Sequence, residues 1–180
     1  MIERHDSLLQ SAVAVDSALQ RRGIEHALIG GLAVLLRARE RATFDVDFLV
    51  DGSRHQEFLE LLRESGFEVL TDNLNFGNFV GPGGLRVDAL YAVRMHGKAM
   101  LARAAEISAA GVSLRVVQAE DLIGLKLQAL RNNPARHRDW DDIRALYRMR
   151  DASFDDARVR EFVAMFGFED EYRRILVLES

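Results

Sequence analysis

Apolar positions in the first part of the chain alternate between helical and extended spacing. Residues 7–22 carry their apolar side chains on one helical stripe, and Gly23 is a typical helix stop. The apolar run 26–29 ends at a glycine pair, residues 30–31, which predicts a buried strand that turns directly into a helix over residues 32–36. The chain therefore begins with a predicted helix–strand–helix order.

Residues 43–50 show the clearest extended pattern in the chain. Side chains alternate between the two faces of a strand, so four apolar residues share one face: Phe44, Val46, Phe48 and Val50. Asp45 and Asp47 occupy the opposite face. The pattern predicts a half-buried strand whose polar face carries two carboxylates.

Extended patterns recur further along the chain, over residues 67–70, 75–80, 85–93 and 112–117. The turn Gly81-Pro82-Gly83-Gly84 predicts a hairpin between the second and third of these strands. Residues 98–109 predict a short helix or irregular structure, and the pattern is helical from Glu120 onward. These elements predict an α/β fold: a small mixed sheet flanked by helices over residues 1–117, followed by a mostly helical part over 118–180, together in one compact unit.

Composition narrows the class of protein. The chain has 180 residues, of which 48% are apolar, enough for a packed core, and its net charge is −4. A protein whose whole surface binds nucleic acid is usually basic. The absence of cysteine excludes disulfides and thiolate metal sites, and no apolar run is long enough to cross a bilayer. The charged N-terminus lacks the pattern of a secretory signal, so we expect a cytoplasmic location and no membrane partner.

Three aspartates provide the main candidate chemistry. Asp45 and Asp47 project from one strand face roughly 6–7 Å apart, and their like charges repel unless a divalent cation lies between them. Asp88 lies on the predicted strand 85–93 and converges with the pair if the two strands are neighbours. Such a cluster is typical of two-metal phosphoryl or nucleotidyl transfer with Mg²⁺ or Mn²⁺. A solvated strand face is the alternative interpretation of Asp45 and Asp47 taken alone.

The glycine pair and the aspartates together carry a family resemblance. The stretch IGGLAVLLRARERATFDVDFLV resembles the signature of the polymerase-β-like nucleotidyltransferases, in which a glycine-containing turn opens a helix and a D-x-[DE] pair follows. The local form R-x-T-x-D-x-D resembles a bacterial branch of this superfamily. That branch includes the nucleotidyltransferases of abortive-infection and type IV toxin–antitoxin systems. The resemblance implies a nucleotidyltransferase fold and activity.

The resemblance also implies roles for the residues around the glycine turn. Gly30 and Gly31 would let the backbone approach a triphosphate at a helix N-terminus, although a plain strand–helix turn is the alternative. Arg41 and Thr43 are implied nucleotide-binding residues, and Arg41 could instead neutralise the carboxylates. Many members of the superfamily have a serine after the first glycine. Here that residue is Gly31, so any contact with the triphosphate at this position must come from the backbone.

A second part of the resemblance extends the match to roughly residues 24–147. The segments AEDLIGLKLQAL and RDWDDIRAL resemble the D-L-x-x-x-K and R-D-x-x-D-[IL] segments of the same branch. This implies a catalytic Lys126 that contacts phosphate, with Asp139 and Asp142 as additional candidates. The alternatives are a lysine whose stem packs while its ammonium reaches solvent, and aspartates that stabilise a helix N-terminus.

The residues and the resemblance together predict a metal-dependent nucleotidyltransferase. Asp45, Asp47 and Asp88 would hold the ions while an acceptor hydroxyl attacks the α-phosphate of a nucleoside triphosphate, with Asp88 as the candidate base. Three acceptors stay open: RNA, particularly a transfer RNA end; a protein hydroxyl; and a small molecule such as an aminoglycoside. The alternative from another class is a non-catalytic module that binds a nucleotide or a partner, with a cognate toxin or antitoxin as that partner.

Overall fold

The computed structural model describes residues 2–38, 41–109 and 111–178. The chain divides into two compact units. The first consists of residues 1–33 and 41–117, and the second of residues 34–40 and 118–180. Among the described residues, all strands lie in the first unit.

A seven-stranded mixed sheet forms the centre of the first unit. Its strands are β1 (His26–Ile29), β2 (Asp45–Asp51), β3 (Glu68–Asp72), β4 (Phe76–Val80), β5 (Arg86–Ala92), β6 (Ala105–Ala109) and β7 (Val112–Val116). Their order across the sheet is β3-β4-β5-β2-β1-β7-β6. Strand β2 runs parallel to β5, and β1 runs parallel to β7, whereas the other neighbours are antiparallel. This order places the two aspartate-bearing strands side by side.

Helices α1 (Ile2–Arg21), α3 (His55–Glu64) and α4 (Met95–Arg103) pack on the sheet. The apolar face of β2 is fully buried at Val46, Phe48 and Val50, as its alternating pattern predicts. Phe58 of α3 packs edge to face on Phe79 of β4, with ring centroids 5.6 Å apart. The opposite face of β2 is therefore the one that keeps its polar side chains within reach of solvent.

Strand β1 is fixed to α1 by a buried polar pair. His26 Nε2 lies 2.8 Å from Asp16 Oδ1, and His26 Nδ1 donates to the carbonyl oxygen of Ile24 at 2.7 Å. The His26 ring also packs edge to face on Phe48 of β2. Because β1 runs straight into helix α2 (Gly30–Arg37), these contacts help to set the position of the glycine turn.

The second unit contains four helices after residue 118: α5 (Ala119–Asn132), α6 (His137–Arg148), α7 (Asp156–Phe166) and α8 (Glu169–Leu178). Helix α5 packs on both α6 and α7. Gly124 allows the close approach of α7, because a Cβ at this position would lie 2.7 Å from the Phe162 ring. Gly167, with φ of +73°, ends α7 in the left-handed conformation that glycine favours.

The predicted α/β class, with a mixed sheet and flanking helices, is confirmed. The antiparallel pairing of β4 with β5 confirms the hairpin around residues 81–84. The interpretation of residues 98–109 is wrong in part, because Ala105–Ala109 forms β6 at the edge of the sheet. Its short AEISA sequence has little β-propensity of its own, so pairing with β7 decides its conformation. Phe44 precedes β2 and is 68% exposed, so its predicted place on the buried face is also wrong.

None of the helices in the described part of the chain combines the length and the apolar character needed to span a membrane.

Candidate active site

The three predicted carboxylates meet on one face of the sheet. Strands β2 and β5 are parallel neighbours whose register pairs Asp47 with Asp88, and Asp45 lies two residues earlier on the same face of β2. One carboxylate oxygen from each aspartate lies within 4.8 Å of the other two. All three residues are half-buried. The cluster therefore forms a compact acidic site that a solvent-borne ligand can reach.

The donor set fits a hard divalent cation. All three ligands are carboxylate oxygens, and Mg²⁺ and Mn²⁺ prefer such ligands to imidazole or thiolate. Three like charges this close also repel one another, and a bound cation would relieve that repulsion. In the ranges that the structure describes, no other group of three acidic, histidine or cysteine side chains meets in this way.

A residue just before β2 holds the Asp45 carboxylate in place. The Thr43 hydroxyl donates to Asp45 Oδ1 at 2.9 Å, and Thr43 is buried, with 7% of its surface exposed. The nucleotide-binding role of Thr43 stays a prediction, because the structure directs its hydroxyl toward a carboxylate. A fixed Asp45 carboxylate needs less ordering when it binds an ion.

The glycine turn lies directly against the carboxylates. Gly30 has φ of +67°, a conformation that residues with a Cβ rarely adopt. A Cβ built on Gly30 would lie 1.9 Å from Asp47 Oδ2, so only glycine fits between β1 and this side chain. The sequence pattern GG…D-x-D thus has a steric cause: the turn and the aspartate occupy adjoining space.

Gly31 has a separate steric requirement. A Cβ built there would lie 2.5 Å from Thr43 Oγ1 and 3.1 Å from Arg41 Cζ. The serine that many superfamily members carry at this position has no room unless Thr43 or Arg41 moves. The Arg41 guanidinium therefore lies beside the turn where its predicted nucleotide-binding role would place it, and that role stays a prediction.

Asn78 is a residue of the site that sequence reasoning missed. It lies on β4 opposite Asp88, and its Nδ2 donates to Asp88 Oδ1 at 2.8 Å. The predicted hairpin did not contain this signal: a four-residue turn over 81–84 would pair Val80 with Leu85, whereas in the structure Val80 pairs with Arg86, and this register sets Asn78 opposite Asp88. Pairing register, rather than a motif, identifies this residue.

Lys126 lies in a buried ion-pair network of the second unit. Its Nζ is 2.8 Å from Asp139 Oδ1 and 3.0 Å from Asp142 Oδ2, and only 9% of its side chain is exposed. Arg136 Nε donates to the other oxygen of Asp139 at 2.5 Å. The network brings together the three predicted residues Lys126, Asp139 and Asp142 and joins α5 to α6. Their catalytic roles stay predictions.

The charges of this network set the ionisation of Asp139. Burial disfavours its charged form, but the hydrogen bonds from Arg136 and Lys126 outweigh burial and hold the pKa of Asp139 below its ordinary value. The alternative interpretation of Lys126, in which its ammonium reaches solvent, does not hold. Lys126 is a paired, buried cation.

Solved structures of nucleotidyltransferases share this fold. The crystal structure of ANT(2'')-Ia in complex with adenylyl-2''-tobramycin has 17% sequence identity and a TM-score of 0.64, covering 92% of this chain and 97% of that chain. The lincosamide antibiotic adenylyltransferase LnuA, with lincomycin bound, has 13% identity and a TM-score of 0.57, covering 80% and 97%. An antigenic nucleotidyltransferase-like protein from Paracoccidioides brasiliensis has 17% identity and a TM-score of 0.61, covering 95% and 92%.

The fold is thus that of the polymerase-β-like nucleotidyltransferases, as the resemblance implied. Residues 9–177 match the family described as nucleotidyl transferase of unknown function. Because this match spans nearly the whole chain, the chain belongs to that family. A search of the curated proteins finds no match.

Proposed function

We propose that this nucleotidyltransferase moves a nucleoside monophosphate, with ATP as the proposed donor, to the hydroxyl group of a small-molecule acceptor: the bond between the α- and β-phosphates breaks, and pyrophosphate leaves. Mg²⁺ or Mn²⁺ would be held by Asp45, Asp47 and Asp88. The observation that carries the proposal is the acidic cluster, in which the three ligand oxygens lie within 4.8 Å of one another beside the glycine turn.

Bound ions would hold the attacking and leaving oxygens in line and neutralise the charge that develops on the phosphate. The protein itself would place and orient the three carboxylates. Asp45 and Asp47 present their oxygens from one face of β2, and the Thr43 hydroxyl keeps the first of them in place. Asp88, on the neighbouring strand, is the proposed acceptor of the proton from the attacking hydroxyl.

The turn from β1 to α2 is the proposed site of the triphosphate. The start of α2 presents backbone N–H groups, and the absence of a Cβ at Gly30 lets the Asp47 carboxylate lie directly against this turn. The Arg41 guanidinium beside Gly31 would add a charged donor to phosphate. These contacts lie next to the carboxylates, as attack on an α-phosphate requires.

Three observations favour a small acceptor over RNA. ANT(2'')-Ia and LnuA, which share the fold over most of their own length, are described with adenylyl-2''-tobramycin and lincomycin bound. Five arginines lie within residues 131–148 and could contact the phosphates of an RNA acceptor, but two of them already form ion pairs, Arg136 with Asp139 and Arg144 with Asp141. A net charge of −4 also favours a neutral or cationic acceptor over a polyanion.

A transfer assay tests the proposal. The purified protein is incubated with each of the four α-labelled nucleoside triphosphates, Mg²⁺ or Mn²⁺, and one of four acceptor sets: aminoglycosides, lincosamides, total RNA or a protein extract. The control is the isosteric double variant Asp45→Asn/Asp47→Asn. We expect label from ATP on a small molecule, and no label with the double variant.

Label on RNA or protein would overturn the small acceptor and favour the toxin-like alternative, with its cognate toxin or antitoxin partner. Metal-dependent binding of nucleotide with no transfer to any acceptor would support the non-catalytic module instead. Transfer that persists in the double variant would remove Asp45 and Asp47 from the mechanism.

A further inference from the structure

Asn78 lies in the middle of β4, where its side chain is half-buried and touches the third carboxylate of the site. The Asn78 amide donates to Asp88 Oδ1 at 2.8 Å. Asparagine is depleted in strands, because its short polar side chain competes for backbone hydrogen bonds and packs poorly. Sheet stability therefore does not explain an asparagine at the centre of β4.

Asp88 lies between a carboxylate on one neighbouring strand and an amide on the other. The register pairs it with Asp47 on β2 and with Asn78 on β4. Repulsion from the Asp47 carboxylate favours rotation of Asp88 away from the cluster, whereas the Asn78 amide fixes one of its oxygens. The direction of the Asp88 carboxylate is thus set by a hydrogen bond from the strand on the far side.

The donor to Asp88 is neutral, as is the donor to Asp45. Thr43 Oγ1 donates a hydrogen bond to Asp45, as Asn78 Nδ2 does to Asp88. A lysine or arginine in either place would hold the carboxylate equally well but would cancel part of its charge. A hydroxyl or an amide fixes the geometry and leaves the negative charge for a cation.

We propose that Asn78 is a positioning residue of this active site: it holds Asp88 in the direction from which the carboxylate shares an ion with Asp45 and Asp47. This inference rests on the proposed metal site. Without the amide, Asp88 is free to turn away from Asp47, and it must be ordered again each time an ion binds. Loss of such an outer hydrogen bond typically weakens metal affinity by about 10-fold or more.

Asn78→Leu is the informative variant. Leucine has nearly the shape of asparagine, carries no donor and suits a strand better, so we expect an unchanged or higher melting temperature together with weaker ion binding. A purely structural role for Asn78 would move both quantities in the same direction. Asn78→Ala removes the donor without adding an apolar side chain, and it keeps the test valid if the leucine variant misfolds.

Thr71→Leu is the matched control. Thr71 is exposed on β3, directly opposite Asn78 in register and one strand further from the carboxylates. The Thr71→Leu variant places a leucine beside position 78 in the sheet but leaves the hydrogen bond to Asp88 unchanged. Asp88→Asn serves as the reference for complete loss of the third ligand.

The measurement is Mn²⁺ binding by the full chain, followed by the electron paramagnetic resonance signal of the free ion. We expect both Asn78 variants to raise the Mn²⁺ dissociation constant by about 10-fold, while Thr71→Leu stays within twofold of the parent. In the transfer assay, excess Mn²⁺ should restore most of the kcat of the Asn78 variants, with the KM for nucleotide little changed.

Binding by the Asn78 variants within twofold of the parent, alongside clear loss in Asp88→Asn, would overturn the role of Asn78 and leave the metal site standing. Failure of the parent protein to bind Mn²⁺ with any dependence on Asp88 would overturn the metal site and this inference with it.

Discussion

Gly30 and Asp47 lie in closer contact than any residue with a Cβ would allow. A Cβ built on Gly30 would be 1.9 Å from Asp47 Oδ2 and 2.3 Å from its Cγ. Gly30 also has φ of +67°. The first glycine of the turn therefore meets two requirements, a backbone conformation and the space that a carboxylate ligand occupies.

Gly30→Ala should disable the site more than it destabilises the fold. The added methyl group must displace the Asp47 carboxylate, and misplacement of a reacting group by about 1 Å can lower the rate by about 100-fold. The measurement is kcat for nucleotidyl transfer together with the melting temperature. Gly23→Ala is the matched control, because Gly23 has a similar φ of +63° but no atom within 4 Å of the added Cβ.

The Gly23→Ala variant carries only the backbone strain, a cost of about 1–2 kcal/mol. Its kcat should equal that of the parent protein. Equal losses of kcat in the two alanine variants would contradict a specific role for the contact between Gly30 and Asp47.

Gly31→Ser should lower stability, although serine is common at this position in the superfamily. The new side chain would meet Thr43 Oγ1 and the Arg41 guanidinium. A double-mutant cycle with Thr43→Ala checks the cause: removal of the hydroxyl should recover part of the lost melting temperature but not the activity, because Asp45 loses its donor. Strictly additive losses in melting temperature would mean that Thr43 is not the obstacle.

Lys126→Met should destabilise the second unit. Removal of the ammonium leaves Asp139 and Asp142 buried without it, and breaking a buried ion pair in this way typically costs about 3–5 kcal/mol. Urea unfolding measures the change. Arg173→Met is the control, because its ion pair with Asp170 is exposed and should contribute nothing measurable. A free energy of unfolding equal to that of the parent would contradict the network.

The stabilisation from Asp139 should depend on pH in a defined direction. The folded state lowers the pKa of Asp139 below its ordinary value of 3.8. Its contribution is therefore complete above the pKa of the unfolded chain and is lost as the pH falls through the lower pKa of the folded state. The difference in unfolding free energy between the parent and Asp139→Asn should be constant from about pH 5 to 7 and should shrink below about pH 4. A difference that grows on acidification would contradict this assignment.

Periodicity and turn chemistry were sufficient to predict much of the fold. The alternation over residues 43–50 located β2, and the four-residue turn over 81–84 located the β4–β5 hairpin. Strand β6 escaped prediction because its alternation is only five residues long and Ile107 alone among them favours strands, so pairing with β7 decides its conformation. An edge strand of this kind is defined by its neighbour rather than by its own side chains.

Site residues that lie close together in the sequence could be predicted. Site residues that come together only through strand pairing could not. Asp45 and Asp47 are two residues apart, so their shared face follows from the strand period alone. Asn78 acts through a hydrogen bond across the hairpin, and only the register shows that it faces Asp88. The buried pairing of Lys126 likewise depends on how α5 packs on α6, which residue spacing does not reveal.

The proposed mechanism requires Asp45, Asp47 and Asp88 together to hold divalent ions for nucleotidyl transfer. Crystals grown with Mn²⁺ and a non-hydrolysable ATP analogue test this requirement, through anomalous difference density measured at the manganese absorption edge. We predict density among the three carboxylates, in contact with the phosphates of the analogue. Manganese density elsewhere, or triphosphate bound with none of the three carboxylates in contact with an ion, would rule out this metal site.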